Sequence, residues 1–254
     1  MPRRPKWGQH FLRDESTLER IAASAATEND AVVEVGPGQG ALTRHLLPVA
    51  RRVVAVEVDA DLARELPGRC GNAPNLNVLN ADILEINLLE ITRKYEDAQW
   101  VVSGNLPYYI TSPILRAVFS THRLFRAATF LVQDEVADRI AAREGSRSYG
   151  YLSCLCQLYC IPSKLFSVPP EAFAPIPRVR SAVVRLEMIQ EDPPDGLLEF
   201  LGACFRSPRK TLRNNLRGLF PIKLVASDKC AGLRAEQLSL ADLKALWRRL
   251  ESGR

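Results

Sequence analysis

Ala31-Val-Val-Glu34-Val-Gly36-Pro-Gly38-Gln-Gly40-Ala-Leu-Thr43 is the stretch that decides the fold. Its β-branched opening reads as a buried strand, because runs without polar alternation belong to strands covered on both faces. Glycines at 36, 38 and 40 then permit a tight turn and let a ligand approach the backbone, and a helix opens behind them. The spacing is G-x-G-x-G, which differs from the dinucleotide fingerprint G-x-G-x-x-G, although Ala41 can stand in for the third small residue. Taken alone, the turn could also be purely structural.

Outward from this unit, strand-like runs alternate with helical stretches: Arg52-Val-Val-Ala-Val-Glu57, Leu76-Asn-Val-Leu79, Trp100-Val-Val-Ser103 and Thr129-Phe-Leu-Val-Gln133. Such alternation predicts a parallel sheet covered by helices, the Rossmann-like α/β class. Two later runs, Lys164–Val168 and Ser181–Met188, bring the sheet to seven strands. The link between them, Pro169 to Pro177, is too short for a parallel crossover, so the last pair is expected to be antiparallel. Beyond Glu187 the composition changes: Asp192-Pro-Pro-Asp-Gly196 reads as a linker and only helical periodicity follows. The expected domains are therefore 1–188, mostly parallel α/β, and 189–254, small and helical.

The 254 residues are 46% hydrophobic and 25% charged, the balance of a globular chain, which excludes disordered, collagen-like and disulfide-scaffold classes. No apolar run approaches the ~20 residues of a membrane span. The basic start, Met1-Pro-Arg-Arg-Pro-Lys6, leads into Trp7-Gly-Gln rather than a secretory core, so a cytoplasmic protein without a membrane partner is expected. The six cysteines contain no C-x-x-C pair and the three histidines are scattered, so buried free thiols are expected and no metal. Leu152–Ile161, which carries Cys154, Cys156 and Cys160, reads as a packed helix. A monomer is expected.

Candidate chemistry collects at the C-terminal ends of successive strands. Glu57 ends the second strand about 20 residues after the glycines, where an acid can accept hydrogen bonds from ribose hydroxyls. Asp82 follows the third strand. After the fourth comes Ser103-Gly-Asn105-Leu106-Pro107-Tyr108. The N6 of adenine is a poor nucleophile because its lone pair is delocalised into the ring. The Asn105 side-chain oxygen and the Leu106 backbone carbonyl, held by the following proline, could accept both N6 hydrogens and aim the lone pair at an electrophile. Tyr108 would stack on the base. Each residue has a plainer alternative, a solvated loop acid or a core tyrosine, but their common sheet edge argues against coincidence.

A net charge of +5 and a pI near 9.0 permit a polyanionic partner. Ser207-Pro208-Arg209-Lys210 reads as a helix N-cap with proline at the first position. A helix continued from there would group Arg209, Lys210, Arg213 and Arg217 on one arc and Leu212, Leu216, Leu219 and Phe220 on the next. With no acid from Phe200 to Pro221, the cationic face suits phosphate oxygens, and a basic arm (Arg3, Arg4, Lys6) would assist it. A merely solvated face is the alternative.

Gln9-His10-Phe11-Leu12, Glu34-Val-Gly-Pro-Gly-Gln-Gly40, the Asn-Leu-Pro-Tyr motif, Gln133-Asp-Glu-Val-Ala-Asp-Arg139, Tyr149-Gly-Tyr-Leu-Ser153, Pro169 to Val184 and Arg209-Lys-Thr-Leu-Arg213 together resemble the small-subunit ribosomal RNA adenine dimethyltransferases of the KsgA type. The resemblance covers nearly the whole chain. It implies the class I methyltransferase fold, S-adenosylmethionine as cofactor, and transfer of methyl groups to N6 of two adjacent adenosines near the 3′ end of small-subunit ribosomal RNA. It also implies residue roles: the backbone around His10 and Leu12 and that of Gly36 lining the methionine and ribose side of the cofactor, Glu57 on the ribose, Asp82 on the cofactor's adenine amino group, and Asn105 between cofactor and target. Phe173 would be a second stacking face opposite Tyr108 for a flipped base, or else a core residue. Two positions depart from the family pattern: His10 stands where asparagine is common, and Tyr109 where a second asparagine is common. An NAD-dependent dehydrogenase, a large-subunit RNA methyltransferase of the antibiotic-resistance type and a non-catalytic RNA-binding factor are the competing readings.

Overall fold

A computed structural model describes residues 10–95 and 99–253. The basic arm at Arg3, Arg4 and Lys6 lies outside the described residues. Strands run β1 (Phe11–Leu12), β2 (Asp30–Val35), β3 (Arg52–Glu57), β4 (Leu76–Asn80), β5 (Gln99–Asn105), β6 (Ala127–Gln133), β7 (Cys160–Val168), β8 (Phe173–Ala174) and β9 (Ser181–Met188). Helices are α1 (Glu15–Ala25), α2 (Ala41–Leu46), α3 (Ala60–Arg69), α4 (Leu88–Arg93), α5 (Thr111–Phe119), α6 (Asp134–Ala141), α7 (Tyr151–Tyr159), α8 (Leu197–Cys204), α9 (Leu212–Asn215), α10 (Ile222–Ser227) and α11 (Leu240–Ser252).

Seven strands form one sheet in the order β4-β3-β2-β5-β6-β9-β7. β4, β3, β2, β5 and β6 pair in parallel, and β9 lies antiparallel to β6 with Ala127 opposite Glu187. The seven strand-like runs of the sequence are thus the seven strands of the sheet. β2 is wholly buried, as are the inner residues of β5 and β6, which explains why these runs lack polar alternation. Since β2 is followed by a crossover to β3 on one side and neighbours β5 on the other, the chain reverses its winding direction there. In open α/β sheets such a switch point leaves a crevice beyond the strands' carboxyl ends.

At that switch point the backbones come unusually close. A Cβ added to Gly104 would lie 2.5 Å from the carbonyl oxygen of Val35 and 3.2 Å from its Cβ. Only glycine lets β2 and β5 deliver their loops side by side at this spacing.

Contacts divide the chain into two compact units, Met1–Ala137 with Ser163–Gln190, and Asp138–Pro162 with Glu191–Arg254. This differs from a single boundary at 188, because 138–162 groups with the C-terminal segment. Within the second unit the reason is visible: Cys154 and Leu158 of α7 pack with Leu197, Phe200 and Leu201 of α8 and with Leu243 and Leu246 of α11 in one apolar cluster. All six cysteines are free and buried, as the sequence predicts. Cys160 and Ile161 are the first residues of β7, however, and not the end of a helix.

The helix expected from Ser207 onward does not form as such. α9 is four residues long and begins only after Thr211. Asn215 explains the difference: its buried side-chain amide donates to the carbonyls of Cys204 (2.8 Å) and Ser207 (3.1 Å), fastening the segment as turns. Gly218, three residues beyond the helix, adopts φ +93°, a left-handed conformation in which the chain cannot continue as a helix. The separation of apolar and cationic side chains survives without the wheel. Leu212, Leu216 and Phe220 are buried, while Arg209, Lys210, Arg213 and Arg217 are exposed.

Gly104→Ala should lower stability by roughly 1–3 kcal/mol, because the obstructing atom is backbone and cannot turn aside. Gly68→Ala is the control: it lies in α3 with open space around the added methyl, where alanine is the better helix former. Urea unfolding midpoints compare the two; equal midpoints would mean that β2 and β5 can separate at no cost.

Candidate active site

The crevice is a cavity of about 300 Å³ within the first unit. His10, Leu12, Gly36, Glu57, Asp82, Asn105, Leu106 and Tyr108 all line it. These eight positions, drawn from four strand ends and from β1, are brought together by the parallel sheet. Phe173 is not among the lining residues. It lies 3% exposed, opposite Leu12 in the β1–β8 ladder, packed in the core with Leu18 and Ile21.

The glycine turn forms the floor. Gly36 has φ +64°, and a Cβ there would meet nothing within 4 Å, so the position is open toward the cavity. Gly38 has φ +57° and lies beneath the Phe11 ring, 3.0 Å from an added Cβ. Phe11 belongs to β1, whose two residues pair antiparallel with Phe173 and Ala174 of β8. β1, which the sequence pattern does not announce, walls the cavity through Phe11 and Leu12, and β8 backs it.

Glu57 is 1% exposed. Its Oε2 accepts from the Gly38 N–H at 2.9 Å and its Oε1 from the Asp59 N–H at 3.0 Å. One bond to each oxygen fixes the carboxylate and leaves further lone pairs for hydroxyl donors. Asp82 accepts from the Leu84 N–H at 2.9 Å through Oδ1, which leaves Oδ2 without a donor among the described residues. The Asn105 side-chain amide donates to the His10 carbonyl at 3.1 Å. That bond fixes the orientation of the side chain: nitrogen is engaged, so the oxygen is the end available to accept. The Leu106 N–H donates to Leu131 across the sheet at 3.0 Å, anchoring the turn that presents the Leu106 carbonyl.

The hydroxyls of Tyr108 and Ser181 share a hydrogen bond of 2.6 Å, which sets the plane of the tyrosine ring. Burial, opposed by this bond, raises the Tyr108 pKa above its ordinary value, so the phenol stays neutral. The His10 ring stacks near it, centroids 6.1 Å apart and planes inclined by 24°. Its Nδ1 bonds the Pro175 carbonyl at 2.8 Å. Only the backbone at position 10 was expected to contribute; the imidazole is a second ring at the site, and the sequence signal for it was the departure from asparagine.

A third acid was missed. Glu34 is 1% exposed and lines the cavity, and its Oε2 has no hydrogen-bond partner among the described residues. Burial pushes its carboxyl up to about 8, opposed by the nearby Thr43 hydroxyl and assisted by the neighbouring Glu57. The signal was a charged residue within an otherwise apolar strand.

These features fit a nucleoside-bearing cofactor with a polar tail: an open glycine floor, two fixed acids at the ends of β3 and β4, and an orphaned buried carboxyl oxygen. Among the described residues, no group of three or more His, Cys, Asp or Glu side chains is arranged to hold a metal.

Comparison with known proteins gives a consistent result. The family model for ribosomal RNA adenine dimethylase matches residues 2–237. The ribosomal RNA small subunit methyltransferase A of Koribacter versatilis is 40% identical over 275 residues, covering 99% of this chain and 95% of that protein. Its counterpart in Rubrobacter xylanophilus is 42% identical over 257 residues, with coverages of 97% and 95%. Among solved structures, a dimethyladenosine transferase from Plasmodium falciparum is similar with a TM-score of 0.82 at 26% identity, covering 96% of this chain and 98% of that one. The 23S rRNA methyltransferase ErmE is similar with a TM-score of 0.71 at 27% identity, with coverages of 95% and 99%.

Glu34 gives a prediction with a definite sign. The folded protein holds this proton up to pH about 8, whereas an unfolded chain releases it near 4.5. Between those values the unfolded state binds fewer protons, so stability falls as pH rises through the window. Glu34→Gln removes the effect. The melting temperature of the cofactor-free variant, relative to the parent, should rise between pH 5 and pH 8.5; a difference independent of pH would refute the buried protonated acid.

Proposed function

The chain belongs to the ribosomal RNA adenine dimethylase family, and from that premise we propose that it transfers methyl groups from S-adenosylmethionine to N6 of two adjacent adenosines near the 3′ end of small-subunit ribosomal RNA, giving N6,N6-dimethyladenosine. The observation that carries the mechanism is the Asn105 amide, tied through nitrogen to His10 so that its oxygen is left as an acceptor.

When bound, S-adenosylmethionine supplies a methyl group already activated by its sulfonium. The glycine floor and Glu57 would hold its ribose side, Asp82 its adenine amino group, and the backbone at His10, Leu12 and Gly36 its amino-acid portion. This chain's contribution to chemistry is orientation. Asn105 Oδ1 and the Leu106 carbonyl accept the two N6 hydrogens, turning the lone pair out of conjugation with the ring. Tyr108, held by Ser181, stacks on the base. No strong general base is needed, since the N6 proton becomes acidic only once nitrogen carries the new bond and can then leave to water. In the second round one N–H remains, and one acceptor must suffice.

The second unit would dock the RNA. Arg209, Lys210, Arg213 and Arg217 are exposed and form no ion pair among the described residues, so their charge is available to phosphate. The protein would act in the cytoplasm, where small subunits are assembled, and as a monomer. The structural likeness to ErmE keeps a large-subunit target as the alternative. The relatives at about 40% identity are small-subunit enzymes. Labelled cofactor incubated with unmethylated small or large subunits, followed by primer extension, separates the two: label confined to large-subunit RNA would overturn the proposal.

Two predictions follow from the residue roles. Asn105→Ala should depress methyl transfer far more than cofactor affinity, because the lost acceptor acts on the reacting nitrogen. Glu57→Ala should weaken cofactor binding itself by about 1–3 kcal/mol. Single-turnover rates and calorimetry measure each; a wild-type rate in Asn105→Ala would sink the assignment. Reversing Arg209, Lys210 and Arg213 to Glu should leave cofactor affinity unchanged and weaken binding to small subunits. It should also reduce the log-log salt slope by roughly 0.7–0.9 per lost phosphate contact. An unchanged slope would mean that these cations are only solvated.

A further inference from the structure

Pro175-Ile-Pro-Arg-Val-Arg180 joins β8 to β9, and both of its ends are fastened to residues that line the cavity. At one end the Pro175 carbonyl meets His10 Nδ1 at 2.8 Å. At the other, Ser181 Oγ meets the Tyr108 hydroxyl at 2.6 Å, and the Arg180 carbonyl accepts from the Asp134 N–H at 3.0 Å. Between these fixed points the side chains face solvent. Ile176 is 64% exposed and Val179 44%, Arg178 and Arg180 are exposed, and Pro177 alone is buried. Tyr109, which also lines the cavity, is 62% exposed.

None of these exposures serves the fold of the first unit. Arg178 has no acidic partner within ion-pair distance among the described residues. The acid that acts on Arg180 is Asp134, already bonded to Lys164 (2.9 Å) and to Ser167 (3.0 Å). A segment tethered at both ends to residues that line the cavity, and presenting apolar surface and exposed cations beside it, is suited to a polyanion with apolar faces. Single-stranded RNA has that chemistry, since unstacked bases seek apolar or aromatic surfaces while their phosphates seek guanidinium groups.

We propose that Ile176–Arg180, with Tyr109, form the seat for the nucleotides flanking the target adenosine: Tyr109, Ile176 and Val179 take the bases that lose their stacking partner when the adenosine is extruded, and Arg178 and Arg180 take the adjoining phosphates. The inference rests on the proposed activity and adds the part of the substrate that the cavity does not enclose. It also assigns the RNA two separate contacts, because this segment belongs to the first unit and the Arg209–Arg217 cations to the second.

The test uses the full chain and unmethylated small subunits. Arg178→Glu combined with Arg180→Glu should raise KM for subunits at least tenfold, lower the salt slope by about 1.4 for two single-strand contacts, and leave cofactor affinity unchanged. Ile176→Ser should raise KM severalfold with the slope intact. Should the double reversal fold poorly, Arg178→Gln with Arg180→Gln gives the same direction at smaller amplitude. A photoreactive benzophenone side chain in place of Val179 should crosslink to ribosomal RNA within a few nucleotides of the methylated adenosines. Crosslinking to a ribosomal protein, or unchanged KM and slope in a chain that methylates normally, would overturn the seat alone. Absence of methylation by the unaltered chain would instead overturn the activity on which it rests.

Discussion

Everything at the site depends on how closely the ends of β2 and β5 approach. Two neighbouring parallel strands deliver their following loops to the same edge, but a side chain at position 104 would force the Val35 carbonyl away. With glycine there, the loop carrying Gly36 and Gly38 and the loop carrying Asn105 and Tyr108 emerge as adjacent walls of one cavity. The chemistry proposed for Asn105 is thus a property of sheet geometry before it is a property of the residue.

The acids at that edge divide their tasks by environment. Glu57 is buried and receives two backbone N–H groups, one at each oxygen. Glu34, equally buried, has an oxygen with no partner among the described residues and is pushed toward the neutral form. The Glu57 oxygens are thus each engaged by the backbone, while the protonated Glu34 carboxyl can donate a hydrogen bond as well as accept one. The sulfonium chemistry needs neither as a base, which leaves both free to hold a ligand.

Much of this was legible in the sequence, for identifiable reasons. Strands buried on both faces are predominantly apolar without alternation, so β2, β3, β5 and β6 announce themselves. Residues fixed at their C-terminal ends inherit their positions from the topology, which is how Glu57, Asp82 and Asn105 could be placed together. What sequence could not show was what rests on short or long-range contacts. β1 and β8 are two residues each and have no period to detect. The wheel drawn from Ser207 was satisfied equally by turns, because Asn215 bonds carbonyls eight and eleven residues behind it. Phe173 and His10 illustrate the same limit: both lie on β1, β8 or their flanks, and the ladder's register alone turns the phenylalanine into the core and leaves the imidazole beside Tyr108.

That two-residue ladder has a thermodynamic consequence. β1 roofs the glycine floor through Phe11, and β8 leads directly into the Pro175–Arg180 segment. With two residues in each strand, the pair is held by far fewer main-chain bonds than the central strands and should open locally at a lower free energy than they do. Any ligand that braces one strand of the pair also braces the other. Cofactor and RNA would then each stabilise a common closed form, and by reciprocity the presence of either must tighten the other's hold by the same factor. Protection of the Leu12 and Ala174 amides from hydrogen exchange would report that shared state from both sides of the cavity.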